Sequence, residues 1–390
     1  MRNSGLALLC LLVTAGILAA GLWPFTPYPR NDVVWTPDGW GLQFGDYGSI
    51  LSAADAAAPV SPDGHCSLEI WLTPGLTDDS NVILAYARRD NPHQFRLGQD
   101  GDALYVGRQA FRNGSASEGP YIHIGHVFRQ GRPVLLTVTA GERGTQVYLD
   151  GKRALTRLDF GLSASGLAGR MVVANSPVGN NTWSGVLQGI AVYGRELQAQ
   201  EVAQHFAEWS AGDRTTLAQM GSDTLYLFRE GAGSLVHNLG ASSQPDLYIP
   251  DHYMILYPAF LHPFWKDSYL TVAAMKDIAN NIVAFIPLGF LACAWLSGWR
   301  PGTRSLWFAI LFGTLLSLTI EVLQYFIPMR DSDSLDWLMN IAGTALGAWL
   351  YILQARHDWL GRLPIAGRIW RVICPSNSRV VESVGSDLVA

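Results

Sequence analysis

The chain has 390 residues, of which 49% are hydrophobic and only 15% charged, with a net charge of −5 at pH 7. Soluble domains carry about a quarter charged residues, so part of this chain belongs in lipid. The acidic balance, and the lack of a basic patch interleaved with aromatics in the polar part, argue against a nucleic-acid partner.

In chain order, the first apolar segment runs from Gly5 to Leu22 (GLALLCLLVTAGILAAGL), after Arg2 and before Trp23-Pro24. About 20 apolar residues as helix cross a bilayer core of roughly 30 Å. No A-x-A cleavage pattern follows, and Leu9 before Cys10 does not fit a lipobox, so residues 1–23 are expected to form an uncleaved anchor.

The next polar region is far too long to be structureless. LEIWLTP (Leu68–Pro74), NVILAYAR (Asn81–Arg88), QFRLGQDGDALYVGR (Gln94–Arg108), PVLLTVTA (Pro133–Ala140) and TQVYLDGKRAL (Thr145–Leu155) alternate apolar and polar residues between Gly, Asp and Asn punctuation. That pattern predicts an antiparallel sandwich. Asp100-Gly101 and Asp150-Gly151 are hairpin turns, because these pairs tolerate positive φ. Trp71 alternates with Leu68 and Ile70 and is read as core. Trp183, in GNNTWSG, is open between loop packing and ligand contact. Cys66 is the one thiol outside the apolar segments and the tail, so no disulfide within the chain is expected there.

SLEIWLTP, VYLDGKRAL, GVLQGIAVYGRELQAQEVAQHF (Gly185–Phe206) and TLYLFREGAGSLVHNLG (Thr224–Gly240) together resemble a laminin G-like, concanavalin A-type sandwich, here spanning residues 33–249. The resemblance implies binding of a glycan or a protein. Some relatives cleave glycans, but Glu69 stands alone here, without the second carboxylate that glycoside hydrolysis needs.

Residues 250–276, with the aromatic and proline-rich HYMILYPAFLHPFW (His252–Trp265), are expected to form an interfacial linker in which His252 and His262 are polar tips. Three further apolar segments follow: Ile278–Trp299, Ser305–Ile327 and Leu335–Leu353. Arg2, Arg300 and Arg304, and the arginines from Arg356 onward, occupy mutually consistent cytoplasmic places if all four segments span the bilayer. The sandwich then lies outside, both chain ends inside, and residues 354–390 form a basic cytoplasmic tail. The fold class expected is a multidomain membrane protein. A four-helix transmembrane unit carries an extracytoplasmic all-β antiparallel sandwich of the jelly-roll type, inserted after its first helix.

Polar stripes mark the last three spans. Ser317, Glu321 and Gln324 stand at i, i+4 and i+7; Asp336, Asn340, Gly343 and Gly347 share another helical face; Asp277 and Asn281 stand at i and i+4. Glu321 is six residues short of Ile327, about 9 Å from the outer end at the α-helical rise. A charge in lipid costs on the order of 2.5–3.5 kcal/mol and calls for a partner. Asn281, Gln324 and Asn340 can hydrogen-bond a carboxyl, and Arg330 can fold back as a counter-ion. Gly343 and Gly347 suit close helix packing. Asp331, Asp333 and Asp336 lie near Glu321, but no histidine does, and no metal or cofactor is expected.

D-x-x-x-N-x-x-x-F-I-P-L-G-F (Asp277–Phe290), E-x-x-Q (Glu321, Gln324) and R-x-x-D-x-x-D-x-x-x-N-x-x-G-x-x-x-G (Arg330–Gly347) resemble the VanZ-like family over Asp277–Leu353. The resemblance implies a bacterial inner-membrane protein linked to the cell envelope, in a family with members associated with teicoplanin resistance. It implies no established reaction. Two functional readings stay open. In one, the sandwich binds an envelope glycan or surface protein and the bundle anchors it in the lipid bilayer. In the other, the polar cluster (Asp277, Asn281, Glu321, Gln324, Arg330, Asp333, Asp336, Asn340) binds or modifies a lipid-linked precursor, with Glu321 as acid or base.

Overall fold

A computed structural model describes residues 4–76, 80–112, 115–212, 214–217, 219–264, 272–299, 303–358 and 360. Most of the predicted basic tail and Arg300 lie outside the described residues. The chain divides into two compact units, Tyr28–Pro258 and, around it in sequence, Met1–Pro27 with Ala259–Ala390.

Tyr28–Pro258 is a sandwich of two antiparallel eight-stranded sheets. In chain order the strands are β1 (Val33–Trp35), β2 (Leu42–Phe44), β3 (Ile50–Ser52), β4 (Cys66–Pro74) and β5 (Ser80–Ala87). Next come β6 (Phe95–Asp100), β7 (Ala103–Arg112), β8 (Ser115–Ile124), β9 (Val134–Gly141), β10 (Gly144–Leu149) and β11 (Lys152–Arg157). The last five are β12 (Arg170–Val173), β13 (Gly185–Tyr193), β14 (Thr224–Tyr226), β15 (Leu235–Val236) and β16 (Leu247–Tyr248). One sheet runs β1-β2-β13-β4-β9-β10-β11, with β14 on β13, and the other β15-β16-β3-β12-β5-β6-β7-β8. Alternation builds the core between them: Leu68, Ile70 and Leu72 of β4 and Leu136 and Val138 of β9 meet Leu84, Tyr86, Leu97, Val106 and Ile122 of the other sheet. The hairpins turn at Gly101 (φ 59°) and at Asp150-Gly151 (φ 50° and 76°), where side chains other than Gly, Asn or Asp are strained.

Helices α1 (Ser4–Leu22), α2 (Ala199–Ala211) and the single turn α3 (Arg214–Leu217) precede the three long C-terminal helices. A capping box starts α2: Gln198 N–H donates to Glu201 Oε2 at 2.8 Å. Gly212, at φ 70°, ends it. Its buried stripe, Val202, His205 and Trp209, lies on the outer face of the first sheet. Trp209 stacks on Trp71 at 6.0 Å between centroids and crosses Gly189, where a Cβ would sit 2.0 Å from the indole. Trp71 is therefore not in the core between the sheets. It has the opposite parity to Leu68 and Ile70, and α2 covers it.

The two ends of the sandwich are clamped to each other. Arg30 and His252 form an antiparallel bridge, Asn31 N–H donates to Asp251 O at 3.1 Å, and Tyr253 N–H to Pro29 O at 3.0 Å. The Asn31 amide Nδ2 donates to Ser49 O (2.7 Å) and Pro250 O (2.9 Å), and its Oδ1 accepts from Ser49 N (2.9 Å). The stretch expected to be an interfacial linker is thus divided. Through Pro258 it packs on the sandwich, with Leu256 against Leu51, Ala85 and Val172, and from Ala259 it belongs to the helical unit.

That second unit contains α1, α4 (Val272–Ser297), α5 (Thr303–Gln324) and α6 (Ser334–His357). Each has the length and apolarity to cross a membrane. The α4–α6 seam is backbone against backbone: a Cβ on Gly347 would lie 2.0 Å from Ile286 O, and one on Gly343 2.3 Å from Ile282 O. In return Gly289 of α4 faces Thr344 O, where a Cβ would also meet oxygen at 2.0 Å. Hydrocarbon gives no hydrophobic drive between helices, so close van der Waals contact of this kind supplies much of the association.

Candidate functional site

The polar residues of the helical unit gather at the end where α5 turns into α6. Glu321 is 1% exposed, on the inward stripe of α5 with Ser317 and Gln324. Its Oε2 accepts the Asp333 backbone N–H at 2.9 Å, and the Ser332 hydroxyl also bonds the carboxyl. Asp333 in turn caps α6, accepting Leu335 N–H at 2.8 Å. From the side, His262 N–H donates to Ser332 O (2.8 Å), while Ser334 N–H and Oγ donate to His262 O (3.1 and 2.8 Å). Glu321 thus holds the α5–α6 loop from within while a short extended segment holds its edge.

The other candidates settle in separate pairs. Asn281 Nδ2 donates to Asp336 Oδ1 at 2.6 Å, joining α4 to α6. Asn340 Nδ2 donates to Ser317 Oγ at 2.9 Å, joining α6 to α5. Gln324 Nε2 donates to Gly21 O at 2.9 Å. Asp277 is exposed near the start of α4. Arg330 is not the counter-ion of Glu321: its Nε and Nη2 donate to Trp23 O (2.8 Å) and Ala20 O (3.0 Å). Carbonyls that end a helix lack intrahelical partners and carry its negative dipole end, so they satisfy a guanidinium well. Among the described residues, Asn340 Oδ1 and Gln324 Oε1 are buried without a hydrogen-bond donor, a cost of about 1–3 kcal/mol each. Among the described residues no group of three or more carboxylates, histidines or thiols is arranged to hold a metal ion.

In the sandwich, Trp183 is not a surface contact. It is 1% exposed between the sheets, tilted against Phe44, and its indole N–H donates to Gln99 Oε1 at 2.8 Å. The turn-rich sequence around it hides that the ring points inward. Glu69, isolated in sequence, is fully buried beneath α2 and accepts from Thr137 Oγ1 (3.1 Å) and Tyr193 OH (3.0 Å), with His205 Nδ1 at 3.0 Å. Burial opposes a charged His205, but the Glu69 carboxylate, with help from Glu208 and Glu201, outweighs it and holds the histidine pKa above its ordinary value. Burial and Glu69 together push Tyr193 well up. Cys66 is free and buried, its thiol pushed up to about 12 by desolvation.

Comparison with known proteins matches both units. Residues 225–355 fit the VanZ/LLP1 family model, and residues 45–203 fit that of the concanavalin A-like lectin/glucanases superfamily. The chain joins a VanZ-like unit to a laminin G-like sandwich. The VanZ-like match begins within β14 and continues into the last turn of α6. No curated protein is significantly similar to the chain. Among solved structures, it resembles the binding domain of botulinum neurotoxin DC in complex with rat synaptotagmin II, at 12% identity and TM-score 0.33 over 46% of each chain. A native heptameric SAP-like pentraxin from Limulus polyphemus matches at 16% identity and TM-score 0.31 over 45% of this chain and 78% of that one. The binding domain of botulinum neurotoxin serotype G matches at 14% and 0.30, over 44% and 40%. The chain spans less than half the length of these toxin chains.

Proposed function

We propose that this protein is an envelope-surface receptor of a bacterial inner membrane. Its laminin G-like sandwich stands outside and binds a glycan or a protein, and the VanZ-like unit anchors it with both chain ends in the cytoplasm. What carries the reading is the clamp between Arg30–Asn31 and Asp251–Tyr253. A complete sandwich leaves the chain and returns to it at one place, between α1 and α4, both long and apolar enough to span a bilayer. The distribution of arginines supports the orientation. The test is capture of isolated envelope polysaccharide and envelope protein by the full chain in lipid nanodiscs, compared with a chain lacking residues 33–249. Capture that survives the deletion would remove the binding role from the sandwich.

A second reading places a precursor-binding site in the VanZ-like unit. It is favoured by the two buried, undonated amide oxygens of Asn340 and Gln324 near the Glu321 and Asp336 carboxylates. Replacing Glu321→Gln keeps the shape and removes the charge. If a lipid-linked precursor bound the folded variant as tightly as the parent, this reading would fail.

A further inference from the structure

The outer face of the second sheet carries a feature that the anchoring role does not use. Across β12, β5, β6, β7 and β8, one register row reads Val172, Ala85, Arg96, Gly107, Tyr121. The neighbouring row reads Gly98, Tyr105, His123. Residues of one row project to the same side: Leu256 covers Ala85 and Val172, and beyond them Arg96, Tyr105, Tyr121 and His123 rise beside Gly98 and Gly107. Tyr105 lies flat over Gly107, where a Cβ would come 2.3 Å from its hydroxyl oxygen. Its ring stacks on Tyr121 at 5.9 Å and 24°. Arg96 sits over the Tyr105 ring at 5.2 Å, and its Nη2 donates to the Tyr105 hydroxyl at 3.1 Å.

Charge decides what this shelf would hold. His123 is already paired with Asp100 at 3.4 Å, and Asp100 also takes the Ser80 hydroxyl. Arg157, whose Nη1 reaches Tyr121 O, is paired with Asp159. Arg96 has no carboxylate within ion-pair reach among the described residues, although two contacts to Tyr105 fix its orientation. A pre-oriented guanidinium with spare N–H donors suits a carboxylate, which it can bind through two parallel bonds. Beside it, the exposed Tyr121 ring (56%) offers an apolar surface with a polar tip, matched to the C–H face of a sugar ring.

We propose that this Arg96–Tyr105–Tyr121 shelf is a subsite for carboxylate-bearing sugars: the guanidinium, held by Tyr105, takes the acid group, and the exposed Tyr121 ring takes the face of a sugar ring. The assignment rests on the receptor reading and names its ligand class. Full-length protein in zwitterionic nanodiscs is titrated with oligogalacturonate, with the same oligomer after its carboxylates are reduced to alcohols, and with poly(glycerol phosphate). The parent should prefer oligogalacturonate. Arg96→Gln should weaken it by about tenfold or more, the scale of one charge-assisted hydrogen bond, and leave the reduced oligomer unaffected. Tyr121→Ala should weaken both sugars severalfold. An unchanged melting temperature separates these effects from misfolding.

Equal binding of oligogalacturonate by parent, Arg96→Gln and Tyr121→Ala would overturn the assignment and leave the receptor reading standing. So would capture of envelope material by the sandwich with no affinity for oligogalacturonate. Equal binding of poly(glycerol phosphate) and oligogalacturonate would overturn the stacking half, because a polymer without rings has nothing to lay on the shelf.

Discussion

Replacing Gly347 by alanine tests the α4–α6 seam directly. The new methyl would lie 2.0 Å from Ile286 O and 2.9 Å from Phe290 N, both backbone atoms that cannot rotate aside. Ordinary contact begins near 3.4 Å, so the helices must part by about 1.4 Å along this line. A gap of about 0.5–1 Å already forfeits a quarter to a half of each van der Waals contact. Packing at Gly343 and Gly289 would loosen with it, since both are set by the same approach. Overpacking of this kind costs about 1–3 kcal/mol, and the rigid neighbours place Gly347→Ala at the upper end. In detergent, the helical circular-dichroism melt should fall by on the order of 5 °C. Gly16→Ala serves as the control, because a Cβ there meets nothing within 4 Å. If the two variants melted together with the parent, the backbone-to-backbone seam would be wrong.

Three further outcomes bear on the sandwich. Gly189→Ala drives a methyl into the Trp209 ring and should undock α2 at a cost of about 1–3 kcal/mol, seen as changed tryptophan fluorescence and an earlier melt. Trp183→Phe removes the donor to Gln99 from the core, and the sandwich should lose about 1–3 kcal/mol in chemical denaturation without losing affinity for any surface ligand. The raised His205 pKa means that the folded state holds the proton more tightly than the unfolded chain, whose value is near 6.5. That stabilisation is complete below pH 6.5 and fades as pH climbs through the folded value. The sandwich should therefore melt higher at pH 6 than at pH 8.5, and His205→Gln should flatten the difference.

Periodicity was enough to place Ser317, Glu321 and Gln324 on one stripe of α5 and Asn340 on a facing stripe of α6, because helical spacing is local information. What each touches is not local. Arg330 and Gln324 find carbonyls at the end of α1, some 300 residues earlier in the chain, and no pattern near either one encodes where α1 lies in the bundle. The alternation in β4 is equally plain, but alternation alone does not say what covers the second face. Trp71 and Glu69 both turn that way, toward α2, and the partners of Glu69 are 68, 124 and 136 residues distant. Trp183 stays open in the sequence for a different reason. A stretch rich in Gly and Asn reads as surface loop, but a buried amide, Gln99, makes an indole at home inside.

The paired stems at Pro29–Asn31 and Asp251–Tyr253 also have a mechanical consequence. A pull on the sandwich is shared by two segments tied together by backbone hydrogen bonds, so neither is drawn out alone. Sideways drift of one stem against the other meets the rungs between them first, along with the Asn31 side chain that ties them to Ser49. Those few bonds work as a strain relief. They can open and close again while the layered core behind them keeps its register.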